Sequence, residues 1–171
     1  MKKMILLTLI IFVVCFVKYA EAKVSMAQAM QTDGMPFTLS MYKGKPIMIV
    51  YMSAKCGWCH KSVPLINSFY RRYSQDDIVI IGAFFNETKN DALDFQHKLR
   101  AEFPLLYNTE RLRKIIPVSG GTPEFIILNK NHKVSKRIKG YPDDASVLDE
   151  ALKKVVNKSS GWVLISNRLQ I

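Results

Sequence analysis

Cysteine is scarce in this chain: three of 171 residues, at Cys15, Cys56 and Cys59. So few exclude a disulfide-dense scaffold, and a tetrahedral zinc site built on two of them would need two further ligands. The histidines available are His60, His97 and His132, and they form no H-x-x-x-H pair. Long apolar runs are missing too. The longest, Met4 to Val17, has 14 residues, short of the ~20 that a spanning helix needs. Repeats and low-complexity tracts are absent, so nothing signals a second domain. Carboxylates are few, 14 Asp and Glu against 25 Lys and Arg, for a formal net charge of +11. The excess is dispersed. Its clusters, Arg111-Arg113-Lys114 and Lys133-Lys136-Arg137-Lys139, read as solvated faces rather than a nucleic-acid stripe. The milder consequence is a bias toward anionic membrane surfaces or acidic partners.

What is present begins with a leader. Lys2 and Lys3 precede the apolar run, and Lys18-Tyr19-Ala20-Glu21-Ala22 follows it with an A-x-A pattern. A charged start, a short apolar middle and small residues at the end read as a secretory signal peptide over 1–22. An uncleaved membrane anchor is the rival reading. Cleavage leaves residues 23–171 as a single domain of ordinary size, carrying a charge of about +9. Cys15 then leaves with the leader, and Cys56 and Cys59 are the only thiols of the mature chain.

Cys56-Gly57-Trp58-Cys59 lies between the apolar run Pro46 to Ser53 and an amphipathic helix. A two-residue gap brings the sulfurs close enough to make and break a disulfide. At a helix start the first cysteine also meets unpaired N–H groups and the positive end of the helix dipole. Both favour the thiolate. Cys56 is therefore the expected nucleophile and Cys59, one turn inside, the resolving thiol. A purely structural disulfide gains little from so small a loop, and no metal site is expected. Gly57 gives the turn room, Trp58 is the expected partner-facing aromatic, and His60 sits where a positive charge could act on Cys56. The eight methionines form no M-x-M cluster and read as core filler rather than copper ligands.

The coarse layout alternates strands and helices. Residues 37–41 read as a short strand, followed by 46–53 and 78–85 as continuous apolar strands of a buried sheet. Residues 105–107 make a third short strand after a helix over 90–102. Thr109 is expected to cap a helix to about Ile116, ahead of Pro117. Residues 125–128 and 134–138 flank Asn129-Lys130-Asn131-His132 as a hairpin. A last helix runs to about 157 with Val147, Leu148, Ala151, Leu152 and Val155 inward, and 161–171 forms an apolar tail. This order implies an α/β fold, a three-layer α/β/α sandwich with a mixed central sheet.

Four stretches resemble the thioredoxin fold, and within it the TlpA/ResA-like branch of exported thiol–disulfide oxidoreductases. They are Pro36-Phe37-Thr38-Leu39 with Gly44-Lys45-Pro46, Ile47 to Ser53, Cys56 to Cys59 followed by Pro64, and Val118 to Phe125 around Thr122-Pro123. Lys133 to Gly140 is similar to the closing strand. The match covers about 36–157, and the 64 positions from Cys59 to Pro123 leave room for the inserted βα unit of this branch. The string C-G-W-C-H-K with Thr122-Pro123 is also similar to DsbC-type catalytic domains.

The resemblance implies a cis bond before Pro123, the backbone of Thr122 beside Cys56, and the Thr122 hydroxyl near the sulfurs. Glu124 is expected as a surface strand residue rather than a catalytic base. Two departures stand out: thioredoxins carry a buried Asp where this chain has Val50, and the branch often carries a Glu where this chain has Ser62. The expected function is disulfide exchange with protein substrates in the periplasm, without a cofactor, leaning reductase or isomerase. A membrane electron donor or acceptor is the expected second partner. The alternatives are an oxidase of the same fold and a copper-binding chaperone that uses the C-x-x-C pair.

Overall fold

Ile47 to Met52 and Val79 to Phe84 are runs of apolar and β-branched residues with no charge, and they form adjacent parallel strands at the centre of a sheet. The computed structural model describes residues 11–13, 15, 27–73 and 76–157. The expected tail, and the leader apart from 11–13 and 15, lie outside the described residues.

The described strands are β1 (Ala29–Gln31), β2 (Pro36–Phe37), β3 (Ile47–Met52), β4 (Val79–Phe84), β5 (Leu105–Tyr107), β6 (Glu124–Leu128) and β7 (Val134–Lys139). They form one sheet in the order β2-β1-β5-β4-β3-β6-β7. Between them run the helices α1 (Gly57–Arg72), α2 (Lys89–Leu99) and α3 (Glu110–Ile115), and α4 (Ala145–Asn157) follows β7. The β3–β4 and β4–β5 pairs are parallel, while β6 returns antiparallel to β3 and closes a hairpin with β7.

Because side chains alternate along a strand, β3 feeds two separate cores. Met48, Val50 and Met52 meet Cys59, Val63, Ile66 and Phe69 of α1 with Leu148 and Leu152 of α4. Ile47, Ile49 and Tyr51 face the other way, onto Leu39, Leu112 and Ile116. The result is the expected three-layer α/β/α arrangement with a mixed sheet.

Local expectations needed correction at four places. Residues 39–42 form a 3-10 helix rather than a strand, and strand pairing falls to β1 and β2 instead. Thr109 does not cap α3 with its side chain; its hydroxyl donates to the Phe84 carbonyl at 2.5 Å, tying α3 to the end of β4. Val147 is exposed, because the inward stripe of α4 starts at Leu148. Helix α2 is shorter than its apolar spacing suggests: Arg100 takes a left-handed φ of 53° and ends it at Leu99.

Candidate active site

Ser53 follows the last residue of β3, and the turn Ala54–Lys55 delivers the chain to Cys56 at the N-cap of α1. Cys56 is extended, with φ −88° and ψ 111°, and its Sγ accepts the Cys59 N–H at 3.3 Å. The sulfur thus takes the place of the oxygen that usually caps a helix, and it answers one of the helix's orphan donors. Cys59 sits three residues further on and is 0% exposed, packed into the core with Val50 and Val63.

The two thiols are driven apart by their surroundings. Burial raises the Cys56 pKa, but hydrogen bonds from the Cys59 side chain and backbone, the Thr122 side chain and the Trp58 backbone outweigh it. The Cys56 thiol therefore lies below the ordinary range. Burial and the hydrogen bond to Cys56 push Cys59 up to about 12. One sulfur is poised to ionise and the other is held as a thiol.

The opposite wall comes from the loop before β6. The Thr122–Pro123 peptide is cis, and the Cys56 thiol donates to the Thr122 carbonyl oxygen at 3.3 Å. Trp58 projects from the first turn of α1, half exposed, and stacks on Tyr141 with ring centroids 6.1 Å apart. Gly57 is exposed, with open space around it. His60 does not reach the sulfur. Its Nε2 lies 2.7 Å from the Ala54 carbonyl oxygen and its ring packs edge-on against Phe95, so it shapes the turn rather than the charge at Cys56. Val50 and Ser62 are both fully buried, and the Ser62 hydroxyl donates to the Trp58 carbonyl.

A groove of about 480 Å³ lies between Phe85-Asn86-Glu87 on one side and residues 118–122 on the other, and it meets the site at Thr122, whose carbonyl accepts from the Cys56 thiol. Glu87 lines it, and its carboxylate accepts the Ala54 N–H at 2.9 Å. The other side is pinned from beneath by Glu124. Expected at the surface, Glu124 is 0% exposed on the face of β6 that meets Tyr51. Its carboxylate accepts the Ser119 N–H and hydroxyl, each at 2.7 Å, and pairs with Arg137 at 2.9 Å. Burial raises its pKa, but these donors more than offset that and hold it below the usual carboxylate range. Among the described residues, no three His, Cys, Asp or Glu side chains come together to hold a metal.

Tyr141 and Glu124 are the residues that sequence reasoning missed or misplaced here. An aromatic directly after Gly140, where the hairpin ends, is a signal that could have pointed to Tyr141. Nothing local marks Glu124, because its partners lie five and thirteen residues away.

A family model described as Redoxin matches residues 20–152. Thiol-disulfide oxidoreductase ResA of Geobacillus thermodenitrificans is 24% identical over 108 residues, covering 63% of this chain and 62% of that protein. The protein of the same name from Bacillus subtilis is 23% identical over 118 residues, or 69% of this chain and 66% of that protein. The chain therefore spans less than two thirds of the length of these relatives. A crystal structure of a thiol:disulfide interchange protein of the thioredoxin family from Chlorobium tepidum superimposes with a TM-score of 0.64 at 20% identity. That superposition covers 76% of this chain and 94% of the other. The likeness shows a thioredoxin-like fold.

Proposed function

The chain belongs to the Redoxin family, and on that premise we propose that it is a thiol–disulfide oxidoreductase acting on protein substrates through Cys56 and Cys59. The observation that carries this reading is the split between the sulfurs. Cys56 Sγ accepts the Cys59 N–H at the N-cap of α1 and has its pKa lowered, while Cys59 is fully buried with its pKa raised to about 12.

The Cys56 thiolate attacks one sulfur of a substrate disulfide. A Cys56–substrate bond forms and the other substrate sulfur leaves as a thiolate. Cys59 then loses its proton and attacks Cys56 Sγ, which breaks the mixed disulfide and frees the second substrate thiolate. The substrate has gained two electrons, and Cys56 and Cys59 leave as a disulfide. The same steps reversed would make the protein an oxidase.

Thr122 serves this cycle by bonding the Cys56 sulfur, and Pro123 sets the loop that presents it. Gly57 and Trp58 form the rim, and His60 holds the turn. We read residues 23–171 as one exported, periplasmic domain behind the leader at 1–22. The preferred direction is reduction or isomerisation, recharged by a membrane electron donor.

The test is reduction of insulin disulfides by the wild type, Cys56→Ser and Cys59→Ala. Wild type should turn over, Cys56→Ser should be inert, and Cys59→Ala should accumulate mixed disulfides. Activity retained in Cys56→Ser would overturn the assignment. A Cys56–Cys59 potential of about −270 mV would support the reducing direction, and one of about −120 mV would support the oxidase.

A further inference from the structure

Two aromatic rings and two ammonium groups lie on the elements that build the Cys56 site: Trp58 and Lys61 on α1, Lys139 and Tyr141 at the end of β7 behind the Thr122 loop. The Glu87 carboxylate on the groove is turned onto the Ala54 and Asn86 N–H groups. Trp58 is 56% exposed and Tyr141 is 38% exposed, yet they stack on each other across the gap between α1 and the segment after β7. An exposed aromatic pair at the mouth of a site is costly to leave in water and marks a contact surface. The Lys61 ammonium lies 4.4 Å from the Trp58 ring centroid, and both residues belong to α1.

The second cation comes from the other wall. Lys139 ends β7 opposite Glu124, and its Nζ lies 3.9 Å from where a side chain at Gly120 would begin. Gly120 is two residues from Thr122, whose carbonyl meets the Cys56 thiol. The Gly140 N–H donates to the Pro123 carbonyl at 2.8 Å, so Lys139 and Tyr141 are fixed to this loop on either side of Gly140. The carboxylate nearest in register to Lys139, Glu124, is buried and neutralised by Arg137. The helix N-terminus at Cys56 adds positive potential of the same sign.

From this arrangement we infer that the site selects polypeptides whose disulfide is flanked by acidic side chains and an aromatic or aliphatic residue. The acidic groups meet Lys61, on the helix that carries the thiol, and Lys139, beside the loop that carries Thr122. The apolar residue covers the Trp58–Tyr141 stack. This inference rests on the proposed thiol–disulfide exchange and adds the substrate class. Charge complementarity of this kind acts mainly on the rate of encounter.

The test uses the reduced full chain and three disulfides: an acidic-flanked peptide, the same peptide with lysine flanks, and neutral hydroxyethyl disulfide. Second-order rate constants are measured at low and at high ionic strength. The acidic peptide should react faster than the basic one by on the order of tenfold at low salt, with the gap closing as salt screens the charges. In the Lys61→Glu/Lys139→Glu variant the ratio of acidic to basic rates should fall to one or invert. Replacing the peptide's aromatic residue by Ala should slow the wild type more than Trp58→Ala. Equal rates for the two peptides at low salt, or a ratio unchanged in the double variant, would overturn the inference. Failure of the underlying exchange reading looks different: hydroxyethyl disulfide would then not react either.

Discussion

The Cys56 sulfur and Thr122 meet twice, through the carbonyl that accepts the thiol proton at 3.3 Å and through the side chain that lowers the thiol pKa. The two contacts favour opposite protonation states. The carbonyl can only accept, so it holds the thiol, whereas the hydroxyl can donate to the thiolate. Loss of the proton therefore gives up the bond to the carbonyl and favours the one from the hydroxyl.

Thr122→Val keeps the carbonyl and the volume but removes the hydroxyl. A hydrogen bond to a charged group contributes roughly 1.5–3 kcal/mol, and one pKa unit is about 1.4 kcal/mol. We expect the Cys56 pKa to rise by on the order of one unit, read as thiolate absorbance against pH. An unchanged titration would mean that the Thr122 hydroxyl does not bond the Cys56 thiolate.

Iodoacetamide should label Cys56 first in the reduced protein at neutral pH. Its thiol lies below the ordinary range, while burial and the bond to Cys56 push Cys59 up to about 12. Alkylation at Cys59 should stay slow until the pH nears that value or the protein unfolds. Mass mapping after a short pulse checks it; preferential labelling of Cys59 would reverse the two roles.

The place of Cys56 at a helix start was legible in the sequence because it depends on local chemistry. A C-x-x-C at the end of an apolar strand can hardly avoid placing its first sulfur at a helix N-cap. The central strands were legible for the same reason, since β3 and β4 are buried along their whole length. What stayed hidden depends on contacts distant in sequence. Thr109 looks like a cap, yet its hydroxyl finds the Phe84 carbonyl 25 residues away. Glu124 looks like a surface carboxylate because the Arg137 and Ser119 donors that make its burial tolerable come from the next strand and the preceding loop. His60 shares the α1 face with Cys56, but Phe95 and the Ala54 carbonyl draw its ring away.

Gly82→Ala should destabilise the fold without touching the site. Gly82 lies in the middle of β4, where an added Cβ would fall 2.6 Å from Leu105 Cδ2, 2.9 Å from Phe103 Cε2 and 3.0 Å from Met52 Sδ. All three residues are fully buried, so the core must shift to accept the methyl. Overpacking of this kind costs roughly 1–3 kcal/mol. Urea unfolding should show that loss, while the Cys56 pKa of the folded variant stays at the wild-type value.

Glu124→Gln tests the buried pair beneath the groove. Removing the charge leaves the Arg137 guanidinium without its carboxylate; because that side chain is 27% exposed, the loss should stay below the ~3 kcal/mol of a fully buried pair. The direction with pH follows from the shift. The folded-state pKa of Glu124 is depressed, so its contribution is fully present above the ordinary carboxylate value and is lost as pH falls through the folded value. Wild type should therefore exceed Glu124→Gln in urea midpoint at neutral pH, and the difference should narrow in acid. A companion variant, Glu124→Leu/Arg137→Met, removes both charges and should be closer to wild type than Glu124→Gln, because no buried charge is left alone. The Ser119 N–H and hydroxyl lose their acceptor in that variant too, which frees the 118–122 wall. It should then show slower insulin reduction than its stability alone accounts for. Wild-type turnover in the double variant would mean that the Glu124 anchor holds the fold and not the groove.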